Sequence, residues 1–242
     1  MTRADPALRA AVERAAGDLA VRAARALRDP GGPYAVGDPA EDEPITLAAV
    51  RVLGPDALAP FLLAGARPAA RDVDLVERGH ADPLAVAAPG SRDALVHDLR
   101  DAAARHALTL LHGPPRAVPA RLPVTGSAAP LEDARRQGRR PWAALMVLLA
   151  PLTACPAASP AHDQARRHAT DLGRAAVRAV LRRDPATAAR LVRWLALPDV
   201  SCPQLDLAPL VRHLALTTAP TARAALDVAI AERLLHAAGT AR

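Results

Sequence analysis

The sequence predicts a helix-dominated α+β protein, a small α/β unit plus a helical C-terminal region, with an all-α fold as the competing reading. Three observations carry this. The apolar residues, 51 % of the chain, are mainly Ala, Leu and Val, with one Phe, one Tyr and two Trp. Such a set favours closely packed helices over a large β-sandwich, because strands enrich aromatic and β-branched side chains. Asp5-Pro6, Ser159-Pro160 and Asp184-Pro185 each put a side-chain acceptor at an N-cap and a proline at the first helical position, where the missing N–H costs nothing. Between Ile45 and Val124, by contrast, short apolar runs alternate with turn residues, as strands do.

Taken in order, a first helix is expected from Pro6 to about Arg28, where Asp29-Pro30-Gly31-Gly32 breaks it. Residues 29–44 read as a linker or acidic loop carrying Asp38, Glu41, Asp42 and Glu43. Ile45–Leu53, Phe61–Ala64, Asp72–Val76 and Leu108–Leu111 are strand candidates, and a helix from Ser91 to about His106 separates the last two. The Pro-rich stretch from Gly113 to Pro130 marks a boundary. Helical segments follow near 131–150, 160–183, 185–197, 205–216 and 220–238, cut apart by prolines. Leu226, Ile230 and Leu234 give the last one a core stripe. The expected organisation is therefore 1–44, an N-terminal helix and acidic loop; 45–125, the α/β unit; and 131–242, a helical basic region.

The chain has 31 basic residues, all of them Arg, as a GC-rich coding sequence produces, and the net charge is +6. Residues 1–130 hold 15 Arg against 16 acidic residues, whereas residues 131–242 hold 16 Arg against 9. This asymmetry suits an acidic partner: a nucleotide, nucleic acid or an acidic protein face. Cys155 and Cys202 stand apart, each before a proline, with no spacing for a zinc site or a disulfide framework. The N-terminus lacks a signal-peptide core, and the run Ala143–Leu152 is about half the roughly 20 residues that span a bilayer. A cytoplasmic protein without membrane attachment is expected. The sequence sets no oligomeric state.

The stretch Gly65-Ala66-Arg67-Pro68-Ala69-Ala70-Arg71-Asp72-Val73-Asp74-Leu75-Val76 concentrates candidate chemistry. On a strand, Asp72 and Asp74 point to the same side and can share a divalent cation. With Val52-Leu53-Gly54-Pro55-Asp56-Ala57-Leu58 upstream, residues 52–112 resemble the minimal and AbiEii-like nucleotidyltransferases. The resemblance implies a nucleotidyltransferase-like protein with Asp72 and Asp74 as catalytic Mg²⁺ ligands and Arg67 and Arg71 on phosphate. The chain departs from that family: Pro55 replaces the second Gly, Gly65-Ala66 stands for Gly-Ser, and the third carboxylate is missing. The metal site is incomplete without that acid, so a degenerate, non-catalytic relative fits as well. Two surface acids are the plainer account.

His97-Asp98 and His162-Asp163, completed by His112 and Asp227, offer a metal phosphohydrolase reading, although eight histidines make such completions cheap. Ser91 and Ser127 follow glycines and read as cap or turn residues. No G-x-S-x-G occurs, and a chain without Lys has no Walker-type phosphate loop. On a helix of about 100° per residue, Arg167, Arg174, Arg178 and Arg182 line one face and form a basic ridge. Arg135, Arg136, Arg139 and Arg140 precede Trp142 as a basic knot, and Trp194 reads as a core anchor. The competing function is accordingly a non-catalytic helical adaptor or regulator that holds an acidic partner or nucleic acid through its Arg-rich C-terminal half.

Overall fold

The computed structural model describes residues 6–38, 41–81, 90–112, 120–123, 128–217 and 221–240, and among these the fold is all-α. The first half contains α1 (Pro6–Arg28), α2 (Glu43–Leu53), α3 (Ala59–Leu63), α4 (Ala70–Ala81) and α5 (Arg92–His112), with a 3₁₀ turn at Gly54–Leu58. The second half contains α6 (Ala129–Gln137), α7 (Arg139–Leu148), α8 (Pro160–Arg167), α9 (Ala169–Leu181), α10 (Pro185–Leu195), α11 (Leu207–Thr217) and α12 (Ala222–Thr240), with a second 3₁₀ turn at Ala150–Ala154. Extended pairing among the described residues is limited to an isolated bridge between Arg121 and Ala158. Asp5 and most of the Pro-rich stretch, Ser127 included, lie outside the described residues.

The expected α+β class is thus corrected to all-α, and the segment 45–125 holds no α/β unit among its described residues. Three of the strand candidates are α2, α3 and α4, and the fourth is the end of α5. Burial explains why. In α2 the buried positions are Thr46, Ala49, Val50 and Leu53, and in α4 they are Asp72, Val73, Leu75, Val76, Gly79 and His80. That spacing, repeating at three and four residues, is one face of a helix. Gly79 lets α4 cross α2 closely, because a Cβ there would lie 3.0 Å from Val50 Cγ1 and 3.2 Å from the Leu47 carbonyl.

The helix starts at Ser159 and Asp184 form as expected. Asp184 Oδ1 accepts from the Thr187 N–H at 3.0 Å, and the Ser159 N–H donates to His162 Nδ1 at 3.1 Å. Ser91 likewise caps α5, its Oγ accepting from the Ala94 N–H at 3.1 Å.

One continuous core joins the two halves. α1 packs between α2 and α12, and its Ala16, Ala20, Ala23 and Ala24 let these helices approach closely. α10 is the central helix: it touches α7, α8, α9, α11, α12 and the Ala150–Ala154 turn, and every residue from Ala188 to Leu195 except Arg190 is buried. A helix buried nearly all round belongs at the centre of a bundle. Trp194 is a core anchor, its indole N–H donating at 2.8 Å to the Met146 carbonyl near the end of α7, one of the acceptors a helix terminus leaves without an intrahelical partner. Glu43–Leu63 is long and apolar enough to cross a membrane, but it is divided by the Gly54–Leu58 turn and is mostly buried in the protein.

Candidate functional site

The central helix carries a charge in the core. Arg193 is fully buried, and so are Asp56, from the turn after α2, and Asp227, from α12. The Arg193 guanidinium donates through Nη2 to Asp56 Oδ1 at 2.6 Å, through Nη1 to Asp56 Oδ2 at 3.0 Å and to Asp227 Oδ1 at 2.5 Å, and through Nε to Thr153 Oγ1 at 2.9 Å. The planar fork of arginine matches a carboxylate bidentately. Burial alone pushes the Asp56 carboxyl up, but the charges of Arg193 and Arg223 outweigh it and hold the group below the ordinary carboxylate range. Burial likewise acts to lower Arg193, and the two aspartates outweigh it.

The network continues outward. Arg223 Nη2 donates to Asp56 Oδ2, and Arg190 Nε donates to Asp227 Oδ2 at 3.2 Å. Arg190 and Arg223 then line a cavity of about 370 Å³ together with Arg100 from α5. Arg100 reaches across Gly54 to donate to the Val52 carbonyl at 2.7 Å, satisfying one of the last carbonyls of α2. Gly54 has φ +61, and a Cβ there would lie 2.9 Å from Arg100 Nη2. Four guanidiniums, Arg100, Arg190, Arg193 and Arg223, therefore surround two carboxylates. Glu13 on α1 contributes an exposed carboxylate to the wall, and Val52, Val147, Leu148 and Pro151 supply much of the apolar surface.

On the other side of the α7 C-terminus lies a groove of about 410 Å³ between α7, α9 and α10, and Val147 and Leu148 line both spaces. Its floor is Ala143, Ala144, Val147, Ala175, Ala179 and Leu191; Arg92, Arg140, Arg178 and Arg182 surround it, with Asp184 at one end. Among the described residues these four arginines make no ion pair, whereas most neighbouring arginines are held. Asp171 binds Arg135 at 2.6 Å, Arg139 at 3.1 Å and Arg174 at 3.7 Å, and Arg167 faces Glu132 at 3.8 Å. Burial, then Arg135, Arg139 and Arg174, act on the Asp171 carboxyl, and the arginines prevail and lower it.

The expected ridge therefore divides. α8 ends at Arg167 and α9 begins at Ala169, so Arg167 is not in helical register with the others. Arg174 is paired within the chain, and Arg178 and Arg182 face the groove. The basic knot divides similarly. Arg135 is bound to Asp171 and sits 5.0 Å over the Trp142 ring, Arg136 is bound to Asp133, and Arg140 is left at the groove.

The aspartate pair is not formed as the strand geometry required. On α4, Asp72 and Asp74 are about 200° apart around the axis, so they do not share a side. Asp72 is buried and ties the helix start, its Oδ1 accepting from the Val36 N–H at 2.8 Å and its Oδ2 from the Ala69 N–H at 2.9 Å. Asp74 is exposed and pairs with Arg78 at 3.3 Å, while Arg67 and Arg71 are exposed beside this helix start. Among the described residues no group of three His, Cys, Asp or Glu is placed to hold a metal. Asp72 and Asp74, expected to share a cation from one side of a strand, thus lie on different sides of α4 with separate partners, and the His-Asp set is dispersed as well. His162 caps α8, Asp163 binds Arg121 at 2.6 Å and Arg166 at 2.7 Å, His112 faces Glu77, and Asp227 belongs to Arg193.

No family model matches this chain, and no curated protein or solved structure matches it either.

Proposed function

We propose that this protein is a non-catalytic helical binding module that holds an acidic, amphipathic protein segment in the groove between α7, α9 and α10. The observation that supports this reading is the groove itself: an apolar floor surrounded by Arg92, Arg140, Arg178 and Arg182, none ion-paired among the described residues. Charge around an apolar channel is complementary to a helix with alternating Leu and Glu faces, the helix-in-groove mode of recognition. A phosphate backbone has no use for the apolar floor, and a chain with two Trp, one Tyr and one Phe has few rings on which to stack bases.

The test is a titration of labelled peptide against the full chain. A helical peptide of Leu and Glu should bind with an affinity that falls as salt rises, and the Arg178→Glu, Arg182→Glu double variant should weaken it by about tenfold or more. Equal binding by that variant, or binding of a DNA duplex in preference to the peptide, would remove the reading.

A further inference from the structure

The cavity lined by Arg100, Arg190 and Arg223 is a separate space from the groove and has a different chemistry. Its three guanidiniums come from α5, α10 and α12. Each is set by a bond to the protein: Arg100 to the Val52 carbonyl, Arg190 to Asp227 and Arg223 to Asp56. They are therefore pre-positioned, so little side-chain freedom remains to be lost when a ligand arrives. Positive charge is in excess here, because Arg100, Arg190, Arg193 and Arg223 face the two buried carboxylates and the exposed Glu13 carboxylate of the wall. Burial first, and then the facing charge of Arg223, lower the Arg100 guanidinium to about 10. Arg223 Nε is buried without a hydrogen-bond acceptor.

The rest of the wall is different. Val52, Leu53, Val147, Leu148 and Pro151 make it largely apolar, and Val52 and Leu148 are exposed large hydrophobic residues of this fold. The volume, about 370 Å³, lies in the range of small-molecule sites, about 300–1,000 Å³.

We infer that this cavity binds a small organic oxyanion, its carboxylate or phosphate head between Arg100, Arg190 and Arg223 and its aliphatic body against the Val52, Val147 and Leu148 wall. The head adds the negative charge that the guanidinium cluster lacks. The body covers the apolar surface. This site stands independently of the peptide groove, although the shared residues Val147 and Leu148 place the two next to each other.

Calorimetric titration of the full chain with octanoate, octyl phosphate and inorganic phosphate tests the inference. Octanoate or octyl phosphate is expected to bind saturably at one site, and whichever binds more tightly identifies the head group. Arg100→Gln removes a guanidinium that no carboxylate holds and should weaken binding by about tenfold or more. Gly17→Leu is the second variant. Gly17 lies within α1 at the cavity wall and a Cβ there meets nothing within 4 Å, so a leucine fills space without disturbing the arginines. It should abolish binding with the thermal transition retained. Absence of saturable binding to the folded wild type, or undiminished binding by both variants, would overturn the inference. Inorganic phosphate binding as tightly as octyl phosphate would overturn its aliphatic part. Peptide binding in the groove should survive Gly17→Leu, and oxyanion binding should survive Arg178→Glu, so the two sites fail separately.

Discussion

Arg193 and Asp56, 137 residues apart in sequence, form a fully buried bidentate ion pair, with Nη2–Oδ1 at 2.6 Å and Nη1–Oδ2 at 3.0 Å. The pair joins the central helix of the second half to the turn that ends α2 in the first, and Asp227 closes it from α12. Because the charges have left water, the pair is worth little relative to a well-packed apolar substitute, but half of it is costly. Arg193→Met should therefore destabilise the fold by about 3–5 kcal/mol, since Asp56 and Asp227 lose their principal partner. Urea unfolding measures this. A loss below about 1 kcal/mol would mean that Arg190 and Arg223 neutralise the aspartates without it.

Gly54 should resist substitution and Gly17 should not. Gly54 combines φ +61 with ψ −137 and an Arg100 nitrogen 2.9 Å from the place of a Cβ. Gly54→Ala is expected to cost about 1–3 kcal/mol from backbone strain, and it displaces the guanidinium that caps α2. Gly17 sits in α1 with open space around it, and Gly17→Ala should stabilise by roughly 0.5–1 kcal/mol. Paired thermal melts read both, and opposite signs are the expected result.

Among the basic residues of α9, Arg174 and Arg178 differ in partner rather than in sequence context. Arg174 lies 3.7 Å from Asp171, while Arg178 lines the groove with no ion pair among the described residues. Arg178→Gln should therefore reduce the affinity for an acidic peptide and flatten its salt dependence, and Arg174→Gln should do so less. Equal losses would make the whole helix face the binding surface.

Features governed by chemistry within four residues were legible in the sequence. The Ser159 and Asp184 caps form because a side-chain acceptor and a following proline define a helix start locally. The segment 72–76 was not legible. Five residues are too few to separate a period of 2 from one of 3.6, and the helical register emerges only when Gly79 and His80 join Val73 and Val76 on the buried face. The buried charges left a partial signal: Arg193 interrupts the apolar run Leu191–Leu195, and Asp227 adjoins the Leu226 stripe. A charge set among core residues marks burial, but its partners, 137 and 34 residues away, are supplied by tertiary packing. For the same reason the division of the basic ridge was hidden, because Asp171 recruits Arg135 and Arg139 from two other helices.

His162 gives the fold a pH dependence of definite sign. Its Nδ1 accepts the Ser159 N–H at 3.1 Å, so the neutral ring carries its proton on Nε2, and it packs nearly perpendicular to the Trp194 ring with the centroids 5.1 Å apart. Burial, reinforced by the charge of Arg166 and opposed by Asp199 and Asp163, lowers its pKa to about 4, whereas in the unfolded chain it is about 6.5. The unfolded state thus binds a proton that the folded state refuses, so stability present above pH 6.5 is lost as the pH falls toward 4. The loss is on the order of 3 kcal/mol, at about 1.4 kcal/mol per unit. His162→Gln retains an acceptor at the third helical position and cannot titrate. Its unfolding free energy between pH 7 and 4 should fall less than that of the wild type by that amount. Parallel curves for the two proteins would show that the ring is protonated in the folded state and that the cap at Ser159 has another source.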